Sequence, residues 1–478
     1  MEDYDNYIKS FEHTIGQSFR VNELKTEPAE LFRRLNDVSL RPVAWCGSGA
    51  YYDGEMRLSL HPFYHAGLYY LQEPSAMAPA QFLPVMPGDK VLDLCAAPGG
   101  KSTALAAKLK GEGLLVSNDI SISRCKALLK NIQMAGISNA IVTCESPERL
   151  AGPFAGYFDK ILVDAPCSGE GMFRRDPAMV KNWSLSEVER YAKMQREILS
   201  HAAAMLKPGG CLMYSTCTYS PRENEQTVDF LLKEGDYTLL PLPEYEGVDC
   251  GHPEWSHSGS PSIGSCRRFW NHRIEGEGQF AALFKKKGSP EGQSSYPGAR
   301  EKKTGHKTAS LLRKEKPGAF GSGGKDPGEY GAFLKHLIKG QAGEILAEDL
   351  VSDLMDPPPG RLIQREERLF LVPENAPDLS GLRVVSSGLH IGNCKKKRFE
   401  PGQALAMALR AEQFENALKL SLPDIRIEKY LKCETIEAKE EEIKDGWCLV
   451  CAGEFPLGWG KARNGRIKNK YPAGWRKQ

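Results

Sequence analysis

No window of about 18 residues in this chain is free of charged and polar side chains, so a membrane-spanning helix is not expected. The N-terminal stretch MEDYDNYIKSFEHTIG lacks a basic region followed by an apolar one, which argues against an export signal. Neither sign of charge dominates: 63 Lys and Arg face 61 Asp and Glu, and the balance of +2 selects no partner until its distribution is known. There is no repeat at a fixed period, no HExxH spacing among the histidines, and no second CxxC beside Cys448 and Cys451, so solenoids and the commoner metal sites drop out and no metal is expected. What is present is ordinary globular composition, 41% hydrophobic and 26% charged over 478 residues, enough for several domains. The 13 cysteines are odd in number and dispersed, which reads as reduced thiols in a cytoplasmic protein. Most should be small buried residues.

From Lys90 to Lys287 short apolar runs alternate with helical stretches, the pattern of a doubly wound parallel sheet. The strand candidates are 90–96, 113–119, 140–144, 158–165 and 211–218. Helices fall between them at 101–110, 121–136 and 188–207, the last ended by Pro208-Gly209-Gly210, and a hairpin-like pair, RFWNHRI and GQFAALFKK, closes the sheet. Between 285 and 326 Gly, Ser, Pro and Lys take over, with 11 Lys or Arg against 4 Asp or Glu, as in a basic linker. Beyond it, 328–354 reads as helix, 361–374 and 382–399 as strands, and 446–476 as a short β module. A linker of this composition predicts few packing contacts between the two halves.

The segment VLDLCAAPGGKSTALAAKL puts a Gly-rich turn between the first strand and the first helix, where backbone N–H groups and the positive helix end receive a ligand. A P-loop would need glycine at position 95, where this chain has Cys95, and the GxGxxG dinucleotide fingerprint is also missing. The turn therefore belongs to the wider class of nucleoside-binding turns, among which S-adenosylmethionine sites are common. The next strand ends in Asp119, where a carboxylate can accept both ribose hydroxyls. Strand four runs into DAPCSGEGMFR, giving Asp164 and Cys167, and strand five into STCTYS, giving Cys217. Neighbouring strand ends of a parallel sheet open onto one crevice, so these two thiols, fifty residues apart, are expected to meet beside the turn. A methyl donor next to a cysteine suits C5 of cytosine: thiolate addition at C6 makes the ring enamine-like, C5 takes the methyl, and the C5 proton and the thiolate then leave. A carboxyl group at N3 would assist. Asp164 is placed for that role, or for the adenine or amino-acid end of the donor.

The runs LDLCAAPGGK, LVDAPCSGEGMFRRDP and MYSTCTYSPRENE resemble the motif series of RNA (cytosine-5) methyltransferases of the NOP2/Sun (RsmB/NOP) family, and RFEPGQALAMAL and FPLGWGKARNGRIKNKYPAGWR resemble its bacterial RsmF branch. The resemblance implies an α/β, Rossmann-like class I methyltransferase domain with an N-terminal extension and C-terminal α+β and PUA-like β modules. It implies that Cys95, Ala96, Ala97, Pro98, Gly99, Gly100, Lys101, Asp119 and Asp164 line an S-adenosylmethionine site, that Cys217 is the nucleophile, and that Cys167 assists release. The family's acidic residue after the third strand falls at Ser146, with Glu145 adjacent, and either side chain can take that contact. The division expected is 1–70 for RNA recognition, 71–287 for methyl transfer, 288–325 as linker, 326–415 as an RsmF-type domain and 416–478 as a PUA-like RNA-binding module.

RNA is the partner expected, with 16S rRNA or the small ribosomal subunit implied by the resemblance. KKKR at 395–398, Arg174 and Arg175, and the basic C-terminal tail with Trp459, Tyr471 and Trp475 offer phosphate contacts and stacking surfaces. Alternative readings are a tRNA cytosine-5 methyltransferase, a nucleoside triphosphate hydrolase suggested by GGKST, and a non-catalytic ribosome-assembly factor that kept the fold.

Overall fold

The computed structural model describes residues 2–12, 16–53, 56–288, 318–319, 329–338, 347–374, 376–396 and 398–477. Nearly all of the expected 288–325 linker therefore lies outside the described residues. Strands β1 (Gln17–Val21), β2 (Ser39–Val43), β3 (Cys46–Asp53) and β4 (Tyr69–Leu71) form an N-terminal antiparallel sheet in the order β2-β3-β1-β4. The central sheet holds β5 (Lys90–Asp93), β6 (Leu114–Asn118), β7 (Ala140–Thr143), β8 (Phe158–Asp164) and β9 (Leu206–Thr216), parallel in the order β9-β8-β5-β6-β7. β10 (Tyr237–Leu240), β11 (Val248–Cys250), β12 (Arg267–Phe269) and β13 (Gln279–Lys286) extend it beyond β9, with β13 antiparallel to β9.

Successive side chains of these strands point to opposite faces, which is what buries the sheet on both sides. Val91, Leu115, Val142, Leu162 and Met213 join the layer that holds helices Gly100–Leu109 and Ile122–Met134. Leu92, Val116, Ile141, Ile161 and Leu212 join the layer that holds helix Leu185–Met205. Ser121 and Ser184 cap two of these helices by accepting the N–H of Arg124 and Glu187. The third helix stops at Met205, earlier than Pro208 suggests, because Leu206 is fully buried and pairs with Phe158. Pro208-Gly209-Gly210 is taken into β9, where the register against β8 shifts.

The C-terminal third departs from the sequence reading in two ways. Of the strands expected over 382–399, Val384–Ser386 leaves its own module and pairs antiparallel with β7, Arg383 O accepting the Cys144 N–H at 2.9 Å. Leu389–Lys395 stays with hairpin 362–371 in a separate sheet. The expectation of few contacts between the halves also fails. Phe19, Leu31, Phe63 and Tyr69 of the N-terminal region share one core with Leu418, Tyr430, Val450 and Leu457 of the last module. Arg34 pairs with Glu454 across the same boundary. Composition could not reveal this, because shape complementarity between distant surfaces leaves no local periodicity. Among the described residues no helix is long and apolar enough to cross a membrane.

Candidate active site

Five parallel strands end on one side of the sheet, and the turn 95–101 lies among those ends. Gly99 adopts φ +113°, a conformation that favours glycine, and leads directly into helix Gly100–Leu109. The turn is pinned from the neighbouring helix: Arg124 donates to Ala97 O at 2.7 Å and Asn131 to Pro98 O at 2.8 Å. At Gly100 a Cβ would stand 2.9 Å from the Tyr70 ring. Behind it the buried Arg20 guanidinium donates to Gly100 O at 3.1 Å and Thr103 Oγ1 at 2.7 Å, so the N-terminal sheet braces the turn.

Beside the turn is a cavity of about 300 Å³ lined by Cys95, Asp119, Ile120, Glu145, Ser146 and Pro166, among others. Asp119 is nearly buried; Oδ1 accepts the Ser121 N–H at 2.9 Å and Oδ2 faces Arg124 at 3.3 Å. Burial holds the Cys95 thiol protonated, far above the ordinary thiol range. Glu145 and Ser146 differ in what they have free. Ser146 caps the short helix Pro147–Ala151, accepting the Arg149 N–H, while Glu145 is fully buried and accepts the Arg383 N–H at 2.8 Å, with the Arg149 and Arg383 guanidinium groups at 3.2 and 3.5 Å. The strand borrowed from the C-terminal third thus fixes a carboxylate in the wall of this cavity. Beneath the turn Asp93 is also fully buried; burial pushes its pKa up to about 7, against the Ser102 hydroxyl that donates to Oδ2 at 2.7 Å, and Oδ1 has no hydrogen-bond partner.

Asp164, Cys167 and Cys217 converge at the ends of β8 and β9. The two sulfurs are 3.2 Å apart. Cys167 keeps its proton, its pKa raised well above the usual thiol value by the hydrogen bond to Cys217 and then by burial. Asp164 Oδ2 accepts from Lys101 Nζ at 2.7 Å, and Oδ1 accepts from Ser215 Oγ at 2.7 Å. Burial works against the Lys101 charge, but Asp164 beside it, with smaller help from Asp93 and Cys217, holds the ammonium above its ordinary range. A lysine cation is therefore kept within electrostatic reach of the Cys217 sulfur.

Sequence reasoning missed the residues that hold these loops. Buried Glu223 accepts from Ser168 N at 3.1 Å, Ser168 Oγ and Gln195 Nε2 at 2.7 Å, tying the loop after Cys167 to the segment after Cys217. Asn224 Nδ2 donates to Thr218 O at 2.9 Å. The signal was present: Glu223, Asn224 and Glu225 form a run of three polar residues, and all three are fully buried. Arg20 and Arg383 carried no such local sign.

Several residues expected to meet RNA are committed elsewhere. Trp459 is buried among Phe333 and Phe414, its Nε1–H donating to Gly402 O at 2.9 Å, and Tyr471 is buried against Tyr430. Trp475 is half-buried against Tyr471. Arg174 is bound to Glu277, Gly276 O and Ser10 O, whereas Arg175 is exposed. In the 395–398 run Lys395 and Arg398 both pair with Glu400, and Lys397 lies outside the described residues. Cys448 and Cys451 face two different cores and are both buried, so they do not form a two-cysteine ligand pair.

Residues 80–285 match the 16S rRNA methyltransferase RsmB/F family, 1–74 the N-terminal domain of 16S rRNA methyltransferase RsmF, 347–409 its first C-terminal domain and 417–477 its PUA domain. The chain is 31% identical to ribosomal RNA small subunit methyltransferase F of Vibrio parahaemolyticus over 98% of its own length and 93% of the relative's. A Shewanella sp. protein of the same name is 29% identical over 98% and 92%. Among solved structures, a methyltransferase homologue from Pyrococcus horikoshii superposes with a TM-score of 0.54 and 31% identity, covering 59% of this chain and 90% of that one.

Proposed function

The chain belongs to the RsmB/F family of 16S rRNA methyltransferases, and from its paired cysteines we propose that it methylates C5 of a cytosine in small-subunit rRNA with S-adenosylmethionine as donor. The observation that carries this reading is the meeting of Cys167 and Cys217 at 3.2 Å beside the turn 95–101. The donor set suits the cofactor: Asp119 offers a carboxylate to ribose hydroxyls, Ile120 and Pro166 supply apolar walls for a purine, and Glu145 lies in the same cavity. When bound, S-adenosylmethionine supplies an electrophilic methyl group.

The chain's own residues do the rest. The Cys217 sulfur, its proton given up to solvent, adds as a thiolate to C6 of the unstacked base, and the C5–C6 π pair moves to C5, which becomes nucleophilic. Asp164 and its Lys101 partner hold a proton at the N3 edge as negative charge grows on the ring. After C5 carries the methyl, its proton leaves and the sulfur–C6 bond breaks, restoring the double bond. Cys167 is suited to that last stage. Its proton is held chiefly by the hydrogen bond to Cys217; once the Cys217 sulfur is committed to C6 that bond is lost, the Cys167 pKa falls, its proton passes to solvent, and the thiolate so formed takes the C5 proton.

Cys217→Ala tests the reading. Transfer of labelled methyl from S-adenosylmethionine to 16S rRNA should fall by at least about 10³-fold while donor affinity stays within about twofold of wild type. Retained turnover would overturn the nucleophile assignment.

A further inference from the structure

We propose that an aromatic-walled cavity next to the cysteine pair receives, by stacking, a nucleobase that flanks the target cytosine in the RNA strand; this rests on the RNA substrate proposed above. The cavity, of about 580 Å³, is walled by Tyr4, Tyr7, Trp183, Tyr219, Trp255 and Trp270. It is walled in part by the two loops that carry the cysteines. Tyr219 follows Cys217 by two positions, and Glu170, also in the lining, follows Cys167 by three. The two loops are fastened together, since Gly171 N–H donates to Cys217 O at 2.9 Å and Glu170 accepts the Tyr219 N–H at 3.0 Å. The inner wall is rigid: Tyr219 stacks on Trp270 with centroids 4.8 Å apart and planes 18° apart, and Tyr7 meets Tyr219 edge-on at 5.7 Å. The mouth is open, with Trp183 38% and Tyr4 66% exposed.

The chemistry favours a neutral, flat occupant. Aromatic rings beside carboxylates would also suit a cation, but these carboxylates already have partners. Asp3 pairs with Arg273 at 2.7 Å and His272 at 2.9 Å. Asp249 accepts from Trp270 and faces Arg273, each at 3.3 Å. Glu170 accepts from Trp183 Nε1 at 2.9 Å. An ammonium or guanidinium group would compete with these internal pairs, whereas a base needs only a ring face; Trp270 already packs against Tyr219 and Arg268, and Trp255 against His252 and Arg268, so the exposed rings of Trp183 and Tyr4 at the mouth supply it. A stacking platform at this place also has a use. Drawing a cytosine out of its stack leaves the adjoining base without a partner, and an aromatic wall beside the catalytic loops restores one whatever that base is.

The test uses full-length protein and a protein-free 16S rRNA fragment that the wild type methylates, with an abasic residue introduced in turn at each position flanking the target. Trp183→Ala should weaken binding of the intact fragment about tenfold and Trp183→Phe no more than about twofold. Donor affinity and melting temperature should match wild type in both. One abasic position should weaken wild-type binding by a similar factor and have no further effect on Trp183→Ala. Equal RNA affinity of wild type, Trp183→Ala and Tyr4→Ala would overturn the inference. So would a loss seen only with intact small subunits, which would mean that the cavity takes a cationic side chain of a ribosomal protein. Failure of the wild type to bind or methylate 16S rRNA, either as fragments or within small subunits, would sink the RNA reading itself, a result distinct from methylation that ignores Trp183.

Discussion

Around the two cysteines the stabilising contacts run between loops that leave adjoining strands, whereas the C-terminal third is joined to the molecule by contacts between residues far apart in the chain. Glu223 reaches Ser168 across two neighbouring strand ends, while Arg34 reaches Glu454, 420 positions away, and Phe63 packs edge-on against Phe455. The first arrangement builds chemistry out of one motif series. The second builds a support: the last module completes the core of the N-terminal sheet, that sheet braces the Gly-rich turn through Arg20, and the strand at Val384–Ser386 fixes Glu145 in the cavity beside that turn. The C-terminal third therefore acts on the catalytic site through packing, whatever it does for RNA.

The sharpest way to break this comparison is to remove residues 326–478. Large side chains such as Leu31, Phe63 and Tyr69, each almost fully buried in the shared core, would lose part of their cover. Complete exposure costs about 1.5–3 kcal/mol per such residue. Several losses of this kind approach the ~5–15 kcal/mol that typically holds a domain together. The fragment is expected to aggregate, or to melt at least about 10 °C below the full chain, in a calorimetric scan. A fragment that melts with the full chain and binds donor equally well would show that the two halves are independent.

A smaller change sharpens the same point. Arg383→Ala keeps the backbone N–H that Glu145 accepts but removes a guanidinium from a fully buried carboxylate. Donor affinity, read by titration calorimetry, should fall about three- to tenfold with little loss of melting temperature. Unchanged affinity would separate the borrowed strand from the donor cavity.

The difference between the two regions also explains what could be read from the residues alone. Apolar strand runs, helix caps and the short spacing from strand end to cysteine are local, so the parallel central sheet and the meeting of Cys167 with Cys217 were foreseeable. Trp459 and Tyr471 look like surface aromatics because Lys461, Arg463 and Lys470 accompany them, yet both rings are buried in tertiary packing while the three charged side chains stay exposed. Val384–Ser386 gave no sign of its distant partner, because an edge strand's hydrogen bonds are made by backbone, which every sequence has. The aromatic cavity went unnoticed because Tyr4, Trp183, Tyr219 and Trp255 lie on four separate stretches of chain.

The central claim, a covalent bond from Cys217 to the RNA base that Cys167 helps to resolve, is tested most directly by trapping that bond. Cys167→Ala incubated with 16S rRNA and S-adenosylmethionine should accumulate a protein–RNA species that survives denaturing electrophoresis, and Cys167→Ala combined with Cys217→Ala should form none. Normal turnover by Cys167→Ala without such a species, or the same species in the double variant, would contradict the account.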